Sequence, residues 1–233
     1  MNTDKKQALS VHLKAIRRML IVSVASVAVL FVLFFYLLCG PLVDFVLAPV
    51  RARGIEVITT SVSEALMMQF KVCLIAAVIA GMPVIIWQVW VFVAPALYPQ
   101  EKRLFAALFF VALLLFVGGV AFCYCLVFPM AIDLFWSAAD GVASTLWSVK
   151  EYFNFVLSFV LPFGLMFELP VVVYMLARRG LVTYQKLAHS RKYVILVIAI
   201  IAAILTPPDA VSQCMLAIPM ILLYEVAAQL ARL

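Results

Sequence analysis

Tyr152-Phe-Asn-Phe-Val-Leu-Ser-Phe-Val-Leu-Pro-Phe-Gly-Leu-Met-Phe-Glu-Leu-Pro-Val-Val-Val-Tyr-Met-Leu-Ala177 is an apolar run long enough to cross a bilayer, and it carries one carboxyl, Glu168, in its interior. An acidic side chain at the centre of a membrane helix costs about 2.5 to 3.5 kcal/mol on insertion scales, so such a group is expected to be neutralised, partnered or turned toward water inside the protein. Pro162 and Pro170 lie on either side of it. Each lacks a backbone N–H, so this helix is expected to bend near Glu168 and to open locally to polar partners.

The rest of the chain repeats the pattern. Of 233 residues 68% are hydrophobic and 12% charged. A soluble domain has about 45 to 50% apolar and 25% charged residues, so an all-α integral membrane protein is the fold class to expect. Apolar spans are expected at about residues 19–39, 71–93, 104–128, 152–177, 193–206 and 214–230, forming a single polytopic domain over 1–233. Residues 1–18 read as a basic interfacial helix, with Leu9, Leu13, Ile16 and Leu20 recurring at helical spacing beside Lys5, Lys6, Lys14, Arg17 and Arg18. No small-residue cleavage pattern follows it, so the first span is expected to stay in the mature chain.

Ser61-Val62-Ser63-Glu64 has the form of a capping box and is expected to start the second helix, with Pro83 a candidate kink. Residues 129–151 read as a polar-studded loop. The fifth run, Tyr193 to Thr206, reaches only about 21 Å at 1.5 Å per residue, against a hydrocarbon core of about 30 Å. The fifth and sixth helices are therefore expected to be short, thinning the bilayer or stopping before its far face.

Six alternating spans place Lys5, Lys6, Lys14, Arg17, Arg18, Lys102, Arg103, Arg178, Arg179, Lys186, Arg191, Lys192 and Arg232 on one side. Arg51, Arg53, Lys71 and Lys150 fall on the other. The basic side is the cytoplasmic one, so both termini are expected there. The net charge of +6 is accounted for by this asymmetry, and no nucleic-acid partner is expected.

Cys39, Cys73, Cys123, Cys125 and Cys214 lie in or beside apolar runs, where cysteine behaves as a small hydrophobe, and neither a disulfide framework nor zinc spacing is visible. His12 and His189 join no catalytic arrangement, and no phosphate loop occurs. No enzyme activity, metal or cofactor is expected.

Several polar islands occur in a characteristic order. They are His12-Leu13 with Arg17; Glu64 with Lys71; Gln88, Trp90 and Phe92 with Pro95-Ala96-Leu97-Tyr98 and Glu101; Phe163-Gly164 with Phe167-Glu168 and Pro170; Arg191-Lys192-Tyr193; and Thr206-Pro207-Pro208-Asp209 through Ser212-Gln213 to Pro219 and Tyr224-Glu225. On these pieces the chain resembles the TatC family, the multi-spanning receptor subunits of the twin-arginine protein translocase.

The resemblance implies a cup-shaped bundle of six helices in the bacterial cytoplasmic (inner) membrane. It implies binding of twin-arginine signal peptides, self-association, and export of folded proteins by the proton-motive force with TatA- and TatB-type single-span partners. It assigns signal-peptide contact to Glu101, Phe92, Gln88, Arg17 and Leu13. Glu168 matches the family's intramembrane glutamate on the concave side, and Gln213 joins it as a candidate partner-docking group. Pro49 and Asp209 match functional positions in the outer-face loops. The chain departs from the family at Ala15, which stands where a second acidic partner of the signal arginines is usual, and at Val62 and Leu66, where proline and phenylalanine are usual. Two other readings remain open: a proton-coupled small-solute transporter using Glu168, and an assembly scaffold in which Glu168 only bonds neighbouring helices.

Overall fold

The computed structural model describes residues 2–93, 102–139, 146–178, 180–206 and 209–232. Its helices are α1 (Asn2–Leu37), α2 (Cys39–Arg51), α3 (Glu64–Val93), α4 (Lys102–Phe122), α5 (Phe128–Ala139), α6 (Val149–Phe167), α7 (Leu169–Arg178), α8 (Tyr184–Leu205) and α9 (Ala210–Leu230). The strands among the described residues are two-residue pieces, β1 (Val57–Ile58) and β2 (Trp147–Ser148), paired in parallel. Six helical stretches are long and apolar enough to cross a membrane: Lys14–Leu37, Glu64–Val91, Ala106–Ala138, Val149–Arg178, Tyr184–Leu205 and Ala210–Leu230. In hydrocarbon every backbone amide must be bonded within the protein, and helices do this within one segment. The protein is an all-α membrane protein that crosses the bilayer repeatedly.

The chain divides into two compact units, residues 1–42 with 69–113 and residues 43–68 with 114–233. In the first, Phe70 of α3 packs on Phe31 and Phe35 of α1, with ring centroids 5.8 and 4.7 Å apart. Trp87 meets Phe109 edge to face at 5.5 Å. In the second, α7 and α8 pack on α9, and α6 also contacts α9. The core of that unit is aromatic: Phe116, Phe128, Phe153, Phe159 and Phe163 are almost completely buried.

Several boundaries differ from the sequence expectation, each for a local reason. α1 runs unbroken from Asn2, so the amphipathic start and the first span share one helix. The segment after Gly40, read as a connection, is helical as far as Arg51 and carries Pro49 inside it. α3 begins at Glu64 and not at Ser61, and the Glu64 carboxylate accepts from the Thr60 N–H at 2.8 Å and the Thr60 hydroxyl at 2.6 Å, reaching back to Thr60 where the capping box implied Ser61. Residues 129–139, read as the start of a loop, continue the third span. The chain passes Pro129 through a π turn at Cys123–Val127, in which the Phe128 N–H reaches the Cys123 carbonyl. α8 and α9 are the shortest of the six candidate spans at 22 and 21 residues. α8 is nonetheless long enough to cross, because it starts at Tyr184, on the polar side of the apolar run.

Candidate functional site

The intramembrane carboxyl sits at a helix break. α6 ends at Phe167, Glu168 is a turn residue whose N–H donates to the Leu165 carbonyl at 3.1 Å, and α7 restarts at Leu169. Pro170 explains the interruption, since it has no N–H to return toward Met166. Pro162 is carried inside α6 without ending it. Oε1 of Glu168 is buried and has no hydrogen-bond partner among the described residues. A buried polar atom left unpaired costs about 1 to 3 kcal/mol, so the position favours a partner that brings a donor.

Close packing fixes this break in place. A Cβ on Gly119 would lie 2.8 Å from the Phe163 carbonyl oxygen and 2.8 Å from Phe167 Cγ, and a Cβ on Gly164 would lie 2.6 Å from a Phe116 ring carbon. Two glycines, one on each helix, thus let α4 and α6 approach backbone to backbone, as small residues do between membrane helices. Phe122 packs on Phe163 and Phe167 at 5.8 and 5.7 Å.

The other polar groups of the second unit are largely satisfied. Asp209 caps α9 through a 2.7 Å bond from the Ser212 N–H to its carboxylate, and Gln213 Nε2 donates to the Ala199 carbonyl of α8 at 3.0 Å. Thr206 closes α8 by donating its hydroxyl to the Ala202 carbonyl at 2.9 Å. Ser212 Oγ is fully enclosed and, like Glu168 Oε1, has no hydrogen-bond partner among the described residues. At the other end of this hairpin Arg191 pairs with Glu225 at 2.8 Å, and Arg232 lies 3.8 Å from the Tyr184 ring centre.

Pro49 is half-buried in α2, and its carbonyl accepts from Arg53 Nη1 at 2.9 Å. Arg53 also grips Asp133 with two bonds, at 2.5 and 3.0 Å. The Asp133 carboxylate raises the pKa of the guanidinium, chiefly through that hydrogen bond. Arg53 and Asp133 were not candidates on sequence grounds; a charge pair eighty residues apart leaves no local signal.

The expected signal-peptide residues are less fully drawn together. Gln88 is half-buried on α3 and Arg17 exposed on α1. Leu13 and Phe92 fall within the backbones of α1 and α3 respectively. Glu101, Pro207 and Pro208 lie outside the described residues. Among the described residues no cluster of His, Cys, Asp or Glu has the arrangement of a metal site.

Residues 11–219 match the family described as Sec-independent protein translocase protein (TatC). The Sec-independent protein translocase protein TatC of Carboxydothermus hydrogenoformans is 37% identical over 98% of this chain and 94% of its own length. The protein of the same name from Haemophilus influenzae is 36% identical over 99% and 91%. Among solved structures, a crystal structure of the twin-arginine translocase receptor TatC superposes with a TM-score of 0.85 at 36% identity, covering 95% of this chain and 98% of that one. A second, of the receptor in DDM, gives 0.88 at 36% over 95% and 100%. With these likenesses running through nearly the whole chain and through the helices that carry Glu168, Gln213 and Asp209, the protein belongs to the TatC family of Sec-independent protein translocase components.

Proposed function

We propose that this chain is the receptor subunit of a twin-arginine translocase in the bacterial cytoplasmic (inner) membrane, with both termini in the cytoplasm. It binds twin-arginine signal peptides around Glu101, with Gln88, Phe92, Arg17 and Leu13 at the same face. With TatA- and TatB-type single-span partners and with other copies of itself it moves folded proteins outward, driven by the proton-motive force. A carboxylate suits the first task because it accepts a guanidinium through two parallel bonds.

The observation that carries the reading is the buried oxygen of Glu168 at the α6–α7 break, which has no hydrogen-bond partner among the described residues. In a membrane helix such an oxygen suits a hydrogen bond to a polar group on an arriving helix. Gln213, Asp209 and Pro49 then serve as supports, holding the α8–α9 hairpin and the outer-face loops. The same oxygen also favours a second reading, in which Glu168 carries a proton for a small solute.

Crosslinking separates the two. A twin-arginine precursor should crosslink to cysteines placed near residue 101, and the crosslink should vanish when the signal's paired arginines become lysines. A small-solute transporter would give no arginine-dependent crosslink and would bind its solute without single-span partners.

A further inference from the structure

α5, β2 and the start of α6 surround a recess that lies apart from Glu168 and Gln213. Its wall is Phe135, Trp147, Ser148, Glu151, Tyr152 and Phe155, around a cavity of about 200 Å³. Phe135 and Phe155 meet edge to face at 5.6 Å, and Trp147 lies 6.3 Å from Tyr152. The Tyr152 hydroxyl donates to the Val46 carbonyl at 2.7 Å, so the polar tip of that ring is committed to α2 and its apolar body is left for the recess. Ser148 caps α6 by accepting from the Glu151 N–H at 3.5 Å. A full capping box would return the Glu151 carboxylate to the Ser148 N–H, and among the described residues no such bond forms. Glu151 is exposed and is the charged group of the wall.

We propose that this recess binds the primary ammonium of a phosphatidylethanolamine headgroup. The Glu151 carboxylate accepts N–H bonds from the ammonium, and the surrounding rings attract its charge through their π faces. An anion would meet a carboxylate with no lysine or arginine in the wall. A wholly apolar ligand would take water from that carboxylate and return no donor. The cavity is several times the roughly 30 Å³ share of one water, which leaves room for an aminoethyl group. A lipid is the source because the recess sits where the third and fourth spans, Ala106–Ala138 and Val149–Arg178, reach the same end of the bundle. Trp136 and Trp147 stand at that end, the level at which tryptophan meets headgroups. Met130 and Leu134, one turn apart on α5, stay exposed and offer an apolar strip to the acyl chains.

The test is native mass spectrometry of the full chain in detergent, titrated with dioleoyl phosphatidylethanolamine, phosphatidylcholine or phosphatidylglycerol. The unmodified protein should retain phosphatidylethanolamine more tightly than phosphatidylcholine, whose quaternary nitrogen has no N–H to donate. Glu151→Gln should weaken phosphatidylethanolamine by about tenfold, the loss of a charge-assisted bond, and leave phosphatidylglycerol unchanged. Trp147→Leu keeps apolar volume but removes a ring, and it should weaken the same lipid selectively. Unchanged phosphatidylethanolamine affinity in Glu151→Gln overturns the proposal, as does an equal loss of all three lipids. Ethanolamine alone is added as a competitor. Displacement by it at the lipid's own affinity would assign the recess to a free amine and refute the lipid as its occupant, whereas failure to compete supports the lipid.

Discussion

Gly118 and Gly119 are adjacent on α4, yet the packing treats them oppositely. A methyl group on Gly118 meets nothing within 4 Å, whereas on Gly119 it would lie 2.8 Å from the Phe163 carbonyl oxygen and 2.8 and 2.9 Å from two ring carbons of Phe167. Ordinary carbon contacts are about 3.5 to 4.0 Å, so roughly 1 Å of separation is demanded. The Phe167 ring can rotate away, but the Phe163 oxygen is backbone and moves only with α6. Overpacking of this kind costs about 1 to 3 kcal/mol. Alanine also favours a helix over glycine by about 0.5 to 1 kcal/mol, a gain that both substitutions share and that cancels when they are compared. Gly119→Ala should therefore be less stable than Gly118→Ala by about 1 to 3 kcal/mol, roughly 5- to 150-fold in the unfolding equilibrium. The assay is SDS titration of each purified protein in mixed micelles, followed by far-ultraviolet circular dichroism. Because Glu168 directly follows Phe167, displacement of α6 should also lower transport in Gly119→Ala and spare it in Gly118→Ala. Equal stabilities would refute the close approach of α4 and α6.

Glu101→Ala should weaken precursor binding by about tenfold to a hundredfold, the worth of a charge-assisted pair, while the protein still accumulates in the membrane; unchanged affinity in a crosslinking titration removes Glu101 from the site. Glu168→Gln keeps hydrogen-bonding capacity and should retain much of the transport, whereas Glu168→Ala should impair co-purification of single-span partners; a Gln variant that assembles but does not transport would instead point to a titrating carboxyl. Arg53→Ala removes both bonds to Asp133 and the one to the Pro49 carbonyl, and since Asp133 is exposed and Arg53 partly so, it should lower stability only modestly in the same SDS titration. Protease access at the α2–β1 connection should rise with it, and an unchanged digestion pattern would show that Arg53 does not hold Pro49. Inserting about four leucines before Thr206 lengthens the apolar part of α8 toward the bilayer thickness. Precursor binding should survive and transport should fall, and normal transport would count against local thinning.

Local chemistry made much of this legible. Pro170 forbids one backbone bond, and α6 ends three residues before it. Asp209 precedes an apolar run and caps α9 as a short carboxylate there should. Pro129 misled, because a proline after an apolar run reads as a stop. The π turn at Cys123–Val127 absorbs it, and that register shift leaves no compositional trace. The tyrosine hydroxyls that tie α2 to later helices were equally silent: Tyr124 and Tyr152 donate to the carbonyls of Phe45 and Val46 at 2.8 and 2.7 Å. Such bonds join positions many turns apart, and no window of sequence contains both ends.

The candidate site divides along the same line. Glu168 stood out because charge inside an apolar run is costly wherever it is found, so composition alone marks it. Gln213 carried no comparable signal, and its bond to the Ala199 carbonyl accounts for its amide without any partner protein. The two groups therefore make different demands on an arriving helix: Gln213 already has an acceptor, while Glu168 Oε1 has no donor among the described residues. If polar complementarity selects the partner helix, the selection falls on Glu168, and Gln213→Ala should first loosen the α8–α9 hairpin. Stability in the SDS titration should then drop before partner co-purification does, and the reverse order would place Gln213 in direct contact with the partner.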